Sequence, residues 1–373
     1  MKLAVFTIVR HTAVGHTFYG YGPYIREMNL WGKYVDELLV CGPMSASDTP
    51  DPIDIAYEHP RLQFYKVPNF NILSFWQSLR SIFVVPVIFI QCLHVMAKAD
   101  HIHLRCPGNI SLIACMAQIF FPHKDKSTKY AGNWDPESKQ PWSYKLQQAI
   151  LRNRWLTKNM QVLVYGDWPN EPEQVIPFIS ATYYDTDKVS FQTRDYSQTL
   201  EFVFAASLVP GKRPLLTIQI IEALNKKGYP ALLHMFGDGP LRSELEAYVR
   251  ANGLEEQIRL YGNRDIRELK AYYRKAHFNI LPSKSEGWPK AVAEGMFFGC
   301  VPITTRVSCV GWMLEEGQRG VLIAPELDAA VDAVIHALQH QDLNTMAKKA
   351  QQWSEQYTFD RLEEEIKRVL EGS

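Results

Sequence analysis

The sequence predicts an α/β protein built from two doubly wound, parallel-sheet domains. Three observations carry this. Strand-length apolar runs alternate with helical periodicity from residue 2 to about residue 165. Periodicity fails over the polar stretch 184–198, and the alternation then restarts at 202. The 373 residues are enough for two domains, each with a sizeable core.

In chain order, the first half reads as a strand over 2–9, a loop rich in glycine and aromatics (Gly15, Gly20, Gly22), and a helix over 24–33. A strand over 37–41, an Asp- and Pro-rich loop over 45–54 and a strand over 63–67 follow. An apolar helix over 82–97, a strand over 100–105 and a helix over 111–121 come next. A strand over 129–131, a helix over 142–159 and a strand over 161–165 complete the half. The second half gives strands over 202–206, 231–236, 258–261, 278–281, 301–305 and 321–323. Helices over 215–227, 241–251, 266–276 and from Pro289 separate them, and helices over 326–340, 343–356 and 359–370 close the chain. The expected domains are 1–192, 193–356 and a terminal helical segment, 357–373. No internal repeat or low-complexity tract is evident.

Forty basic residues balance forty acidic ones, so bulk attraction to nucleic acid is not expected. The six cysteines (Cys41, Cys92, Cys106, Cys115, Cys300, Cys309) form no CxxC and sit in or beside apolar runs, as reduced cytosolic thiols do. The N-terminal run is too short for a signal peptide, and a cytoplasmic location is expected. The apolar run over 82–97 is shorter than a spanning helix and carries Pro86, Gln91 and His94. It reads as a buried helix. The alternative is an interfacial one, because Phe75, Trp76 and Arg80 give it an amphipathic flank. Over 124–158 basic residues outnumber acidic ones, which fits solvated helix faces or contact with an anionic lipid surface at the inner face of the membrane.

The second half concentrates chemistry at its strand ends, where open parallel sheets bind ligands. The first is followed by Lys212 and Arg213, the second by Gly237 and Gly239, the third by Gly262 and Asn263. The fourth opens a loop with Ser283, Ser285, Glu286, Gly287, Trp288, Pro289 and Lys290, ahead of a helix containing Glu294. Proline suits a helix start, and the backbone N–H groups there favour anions such as phosphate. Helix from Pro289 to Glu294 rises roughly 7–8 Å, so Glu286 and Glu294 can flank one ligand. Cations, close-approach glycines and paired carboxylates together suit a nucleotide diphosphate carrying a sugar. Singly, each has a plainer reading: a solvated Lys-Arg pair, a turn, or a carboxylate complementing a helix dipole.

Over about 201–323 the pattern resembles the donor-binding domain of retaining GT-B glycosyltransferases of the family four type (glycosyl transferases group 1). The matching features are Lys212 after a strand, Gly237-Asp-Gly239, Ser283-x-x-Glu286-Gly-Trp-Pro, Glu294-Gly-Met and Gly299-Cys-Val-Pro-Ile-Thr-Thr. The resemblance implies a GT-B architecture: two Rossmann-like domains facing a cleft, with the terminal helix crossing back to the first. It also implies Lys212 on the donor phosphates, Glu286 on the hydroxyls of the transferred sugar, Glu294 on the ribose, and N–H groups around Gly287 to Lys290 on the diphosphate. No bound cofactor or metal is expected. The nucleoside-diphosphate sugar is a co-substrate, UDP favoured over GDP, and the acceptor is a sugar or a lipid-linked saccharide of bacterial polysaccharide or glycolipid synthesis. Ser207 stands where the family usually has an arginine, and Arg213 is the candidate replacement. In the first domain, Gly20-Tyr-Gly22 resembles the family's glycine-rich loop near the donor phosphate. Arg105, Asn133 and Asp135 are acceptor-side candidates, although the family's usual histidine is missing beside Asn133. Asp185-Thr-Asp187 looks like a metal-binding DxD but lies in the polar break, where chance accounts for it. The rival readings are a sugar-nucleotide epimerase on the same fold and a non-catalytic nucleotide-sugar binder.

Overall fold

The computed structural model describes residues 1–68 and 75–372, and the chain divides into two compact units. Unit 1 comprises Met1–Phe178 and Glu363–Ser373, and unit 2 comprises Ile179–Leu362.

Unit 1 begins with β1 (Lys2–Phe6), β2 (His11–Val14), β3 (Thr17–Tyr21), α1 (Gly22–Gly32), β4 (Glu37–Pro43), β5 (Asp54–Ala56) and β6 (Leu62–Val67). It continues through α2 (Phe75–Lys98), β7 (His101–Cys106), α3 (Asn109–Ala117), β8 (Asp125–Tyr130), α4 (Trp142–Arg152), β9 (Met160–Tyr165) and β10 (Val175–Phe178). Seven strands make one sheet in the order β10-β9-β8-β7-β1-β4-β6, parallel throughout. Parallel strands covered on both faces read as near-continuous apolar runs, as β1 and β4 do. The loop expected after β1 instead contains a hairpin, β2 against β3, extended by β5 into a small antiparallel sheet. Gly15 makes its turn at φ 60.

α2 is only half covered. Ile88, Cys92 and Val95 face the core, while Phe83, Val87 and Ile90 point outward, so the expectation of a fully buried helix is corrected. The side chains of Phe75, Trp76 and Arg80 lie outside the described residues. No described helix is long and apolar enough to cross a membrane. The basic excess over 124–158 is largely spent inside the unit. Lys124 caps the end of α2 through the carbonyls of Met96, Ala97 and Ala99, where a helix dipole favours a cation. Lys126 donates to Phe121 O, and Arg152 and Arg154 pair with Glu171 and Glu173.

Beneath α1 lies a buried polar column. His101 and His103 share the Ser127 hydroxyl at 2.8 Å each. Glu27 takes Arg105 at 2.7 Å and the fully buried Lys129 at 2.8 Å. Burial pulls His11 and His101 down to about 4 and His103 well below its usual range. A histidine held neutral binds fewer protons folded than unfolded. Its contribution is therefore complete above the unfolded value near 6.5 and is lost as pH falls toward 4. The expected result is an unfolding free energy for unit 1, measured by urea titration, that drops steeply between pH 6.5 and 4.5, by up to roughly 3 kcal/mol for each such histidine. His101→Asn should flatten that slope, and a slope unchanged by it would contradict the assignment.

Unit 2 runs β11 (Leu200–Ala205), α5 (Pro214–Lys226), β12 (Ala231–Phe236), α6 (Arg242–Ala251), β13 (Ile258–Gly262), α7 (Ile266–Tyr273) and β14 (Phe278–Leu281). It ends with α8 (Lys290–Phe297), β15 (Val301–Thr305), α9 (Val310–Met313), β16 (Val321–Ile323), α10 (Leu327–His340) and α11 (Leu343–Ser354). α12 (Phe359–Glu371) starts in unit 2 and continues into unit 1. The sheet order is β13-β12-β11-β14-β15-β16, all parallel. The polar stretch before β11 is fastened, not free. Arg194 donates to the carbonyls of Tyr273, Phe298 and Gly299, and its backbone N–H donates to Asn344.

Candidate active site

Chain order in the unit 2 sheet reverses at β11, which lies between β12 on one side and β14 on the other. Such a switch point opens a crevice at the carboxyl ends of the strands. β11 leads into the loop carrying Lys212, and β14 leads into the loop carrying Glu286. The two meet: Lys212 Nζ donates to Glu286 Oε1 at 2.5 Å, with the Glu286 side chain only 8% exposed. Residues 74 positions apart are thereby brought into one ion pair.

The surrounding loops brace each other. Lys284 N–H donates to Gly211 O at 2.8 Å. Arg213, in the left-handed region at φ 49, sends Nη1 to Pro282 O and Ser283 O at 3.0 and 3.2 Å. That nitrogen, expected to offer charge to a phosphate, is engaged with the loop backbone. Thr305 at the end of β15 donates to the same Ser283 carbonyl. Gly237, at φ 121, has Ala206 O where a Cβ would stand, 2.0 Å away, and a Cβ on Gly239 would lie 2.6 Å from Leu208 O. These glycines are required by the neighbouring strand-end loop. Asn263 and Ser285 lie exposed on this edge.

α8 begins at Lys290 with Pro289 as its N-cap, one residue later than expected, because ψ 82 at Pro289 is not helical. The early N–H groups of a helix lack intrahelical partners, so the start of α8 is suited to an anion. Glu294 is partly buried, and burial raises its carboxyl above the usual range. The Thr182 hydroxyl and the Lys290 ammonium oppose that rise. Gly295 presses α8 onto β14: a Cβ there would be 2.5 Å from Asn279 Cβ.

Several residues that shape the site left no local sign in the sequence. Gly287 O accepts from Ser308 Oγ at 3.2 Å and Cys309 Sγ at 3.3 Å. Trp288, expected beside a ligand, is buried against Trp312, Trp353 and Tyr357. Its ring holds the loop from behind. Asp187 pairs with Lys270 and Asp185 with Lys188 within a short helical turn. Among the described residues, no group of three or more His, Cys, Asp or Glu side chains could hold a metal ion.

The four unit 1 candidates each engage partners within their own unit. The Gly22 N–H is used by Ile53 O at 3.2 Å, and a Cβ on Gly22 would collide with that carbonyl. Arg105 lies at the carboxyl end of β7, paired with Glu27 and stacked over Tyr24. Asn133 Oδ1 accepts from Asp135 N–H, and Asp135 Oδ1 from Glu137 N–H, so both side chains shape one turn.

Two parallel-sheet α/β units, a switch-point ion pair and a phosphate-ready helix start define the class, and the chain has the GT-B fold. Residues 185–356, all within unit 2, match the family described as "Glycosyl transferases group 1". An uncharacterized glycosyltransferase of Methanocaldococcus jannaschii is 24% identical over 186 residues, 49% of this chain and 50% of that protein. The amylovoran biosynthesis glycosyltransferase AmsK of Erwinia amylovora is 28% identical over 158 residues, 40% of this chain and 39% of that protein. The chain thus spans about half or less of the length of these curated relatives. Anabaena HepE, solved in complex with UDP and glucose, superposes with a TM-score of 0.66 at 14% identity, covering 100% of this chain and 99% of that one.

Proposed function

We propose that this protein is a retaining glycosyltransferase that moves a sugar from a nucleoside-diphosphate donor to an acceptor hydroxyl. The observation that carries the reading is the Lys212–Glu286 pair at the switch point of unit 2, beside the start of α8. In this reading the donor's diphosphate displaces Glu286 from the Lys212 ammonium and rests on the N–H groups around Gly287 to Lys290. The freed Glu286 carboxylate accepts hydrogen bonds from hydroxyls of the transferred sugar, and Glu294 takes the ribose. The acceptor oxygen forms a bond to the anomeric carbon as the bond to the diphosphate oxygen breaks. The acceptor's proton passes to the leaving diphosphate on the same face, and Lys212 stabilises the charge that develops there. The amylovoran relative supports a polysaccharide or glycolipid setting, with a sugar or lipid-linked saccharide as acceptor.

The test incubates purified protein with UDP-, GDP- and ADP-sugars and a panel of saccharide acceptors. Release of free nucleoside diphosphate together with a glycosylated product whose anomeric configuration matches the donor by NMR is the expected result, with UDP donors preferred. An inverted product rejects retention. An isomerised donor indicates an epimerase, and binding without turnover a sensor.

A further inference from the structure

The loop that carries Glu286 is held from behind by aromatic rings drawn from far along the chain. Trp288 stacks on Trp353 of α11 at 5.9 Å with planes 19° apart, and it meets Tyr357 at 5.3 Å and Trp312 at 6.2 Å. Trp353 itself contacts Trp312 at 5.3 Å and Tyr357 at 4.4 Å, with the Arg319 guanidinium 5.5 Å from its ring centre. Trp353 thus contacts each of the other three rings and the cation. The next residue, Ser354, donates to Ala293 O at 2.7 Å, immediately before Glu294. The end of α11 therefore touches the carriers of both carboxylates: Trp353 reaches the Glu286 loop through Trp288, and Ser354 reaches α8 beside Glu294.

Resting on the function proposed above, we infer that Trp353 is a positioning residue of the donor site, acting through Trp288 on Glu286. The physical case is rigidity. Glu286 lies on a loop, and a loop residue keeps its carboxylate in register only if something with fixed geometry backs it. Two rigid rings in near-parallel contact, each about 92% or more buried, provide that backing. Removing the Trp353 ring opens a void behind Trp288. The Trp288 ring relaxes into it, and the main chain two residues before moves with it. Small misplacements of this kind cost on the order of 100-fold in rate even when the altered residue is remote from the reacting atoms.

The first test needs no substrate. In hydrogen-exchange mass spectrometry of the full chain, Trp353→Ala should speed exchange in peptides covering 283–290 while leaving those covering β12 unchanged. Uniform acceleration, or none in 283–290, overturns the inference. The second test is a double-mutant cycle on kcat/KM with whichever of UDP-glucose or GDP-mannose the wild type turns over. Trp353→Ala should lower kcat/KM about 30-fold in the wild-type background and less than about 3-fold on top of Glu286→Gln, because sites that act as a unit are not additive. Trp353→Phe should restore activity to within about 3-fold. Equal losses in both backgrounds would mean a general packing role and overturn the inference. If Trp353→Ala does not fold, Trp353→Leu takes its place in both experiments. Failure of the wild type to turn over any donor removes the proposed transfer reaction, and the exchange result still decides whether Trp353 holds the loop.

Discussion

Lys212→Met is expected to lower the rate of sugar transfer about 100- to 1000-fold, read as nucleoside-diphosphate release under saturating donor. In this reading the ammonium faces the oxygen on which negative charge accumulates as the glycosidic bond breaks, and methionine keeps the length of the side chain but none of the charge. The structure adds a second consequence. Lys212 is the ion-pair partner of Glu286, whose side chain is 8% exposed, so the variant also leaves that carboxylate unpaired. Glu286→Gln should lose rate as well, but by altering how the sugar hydroxyls are held. The two losses together should fall well short of their product, since residues that act as a unit on one reaction step are not additive. Wild-type rates in both single variants would show that the reaction is carried elsewhere.

The second large effect is on stability. Glu27→Ala is expected to destabilise unit 1 by about 3–5 kcal/mol, because it leaves Arg105 and the fully buried Lys129 without the carboxylate they share. Lys129→Met is the informative partner. It removes one cation but leaves Glu27 paired with Arg105, and its aliphatic chain packs near the Tyr165 and Phe178 rings that Lys129 now faces. Its cost should therefore be clearly smaller. Equilibrium urea unfolding of both variants gives the ordering, and a Lys129→Met loss as large as that of Glu27→Ala would refute the charge argument.

How much of this was legible in the sequence depends on whether the signal was local. β12, β14, β15 and β16 lie where apolar runs bounded by turn residues place them, because strands buried on both faces announce themselves by composition. The β2–β3 hairpin was missed because its glycines and aromatics read as a loop, and its alternation is short. Gly237 and Gly239 were legible as positions where something comes close, but what comes close is the carbonyl of Ala206 or Leu208. Arg213 illustrates the same limit. Its charge is visible in the sequence, while the Pro282 and Ser283 carbonyls that take it are some seventy positions away. Lys124, Lys126 and Lys129 read as a basic run, yet each turns inward to a different partner. The backing of Glu286 by Trp353 was invisible for the same reason: spacing along the chain carries no record of which distant ring fills a gap.

The fastening by Arg194 bears on entropy. A polar stretch such as 185–198 would, if free, hold roughly 1–2 kcal/mol of backbone entropy per residue. Here that freedom is surrendered when unit 2 folds. Arg194 is fixed on the Phe298 and Gly299 carbonyls just past α8, its backbone is tied to Asn344, and Asp187 is tied to Lys270. The helix whose first turn faces the candidate site is thus anchored at its far end before any ligand arrives. A ligand settling at the start of α8 therefore meets Asp187 and Arg194 already tied down, and fixing these two adds no cost to binding.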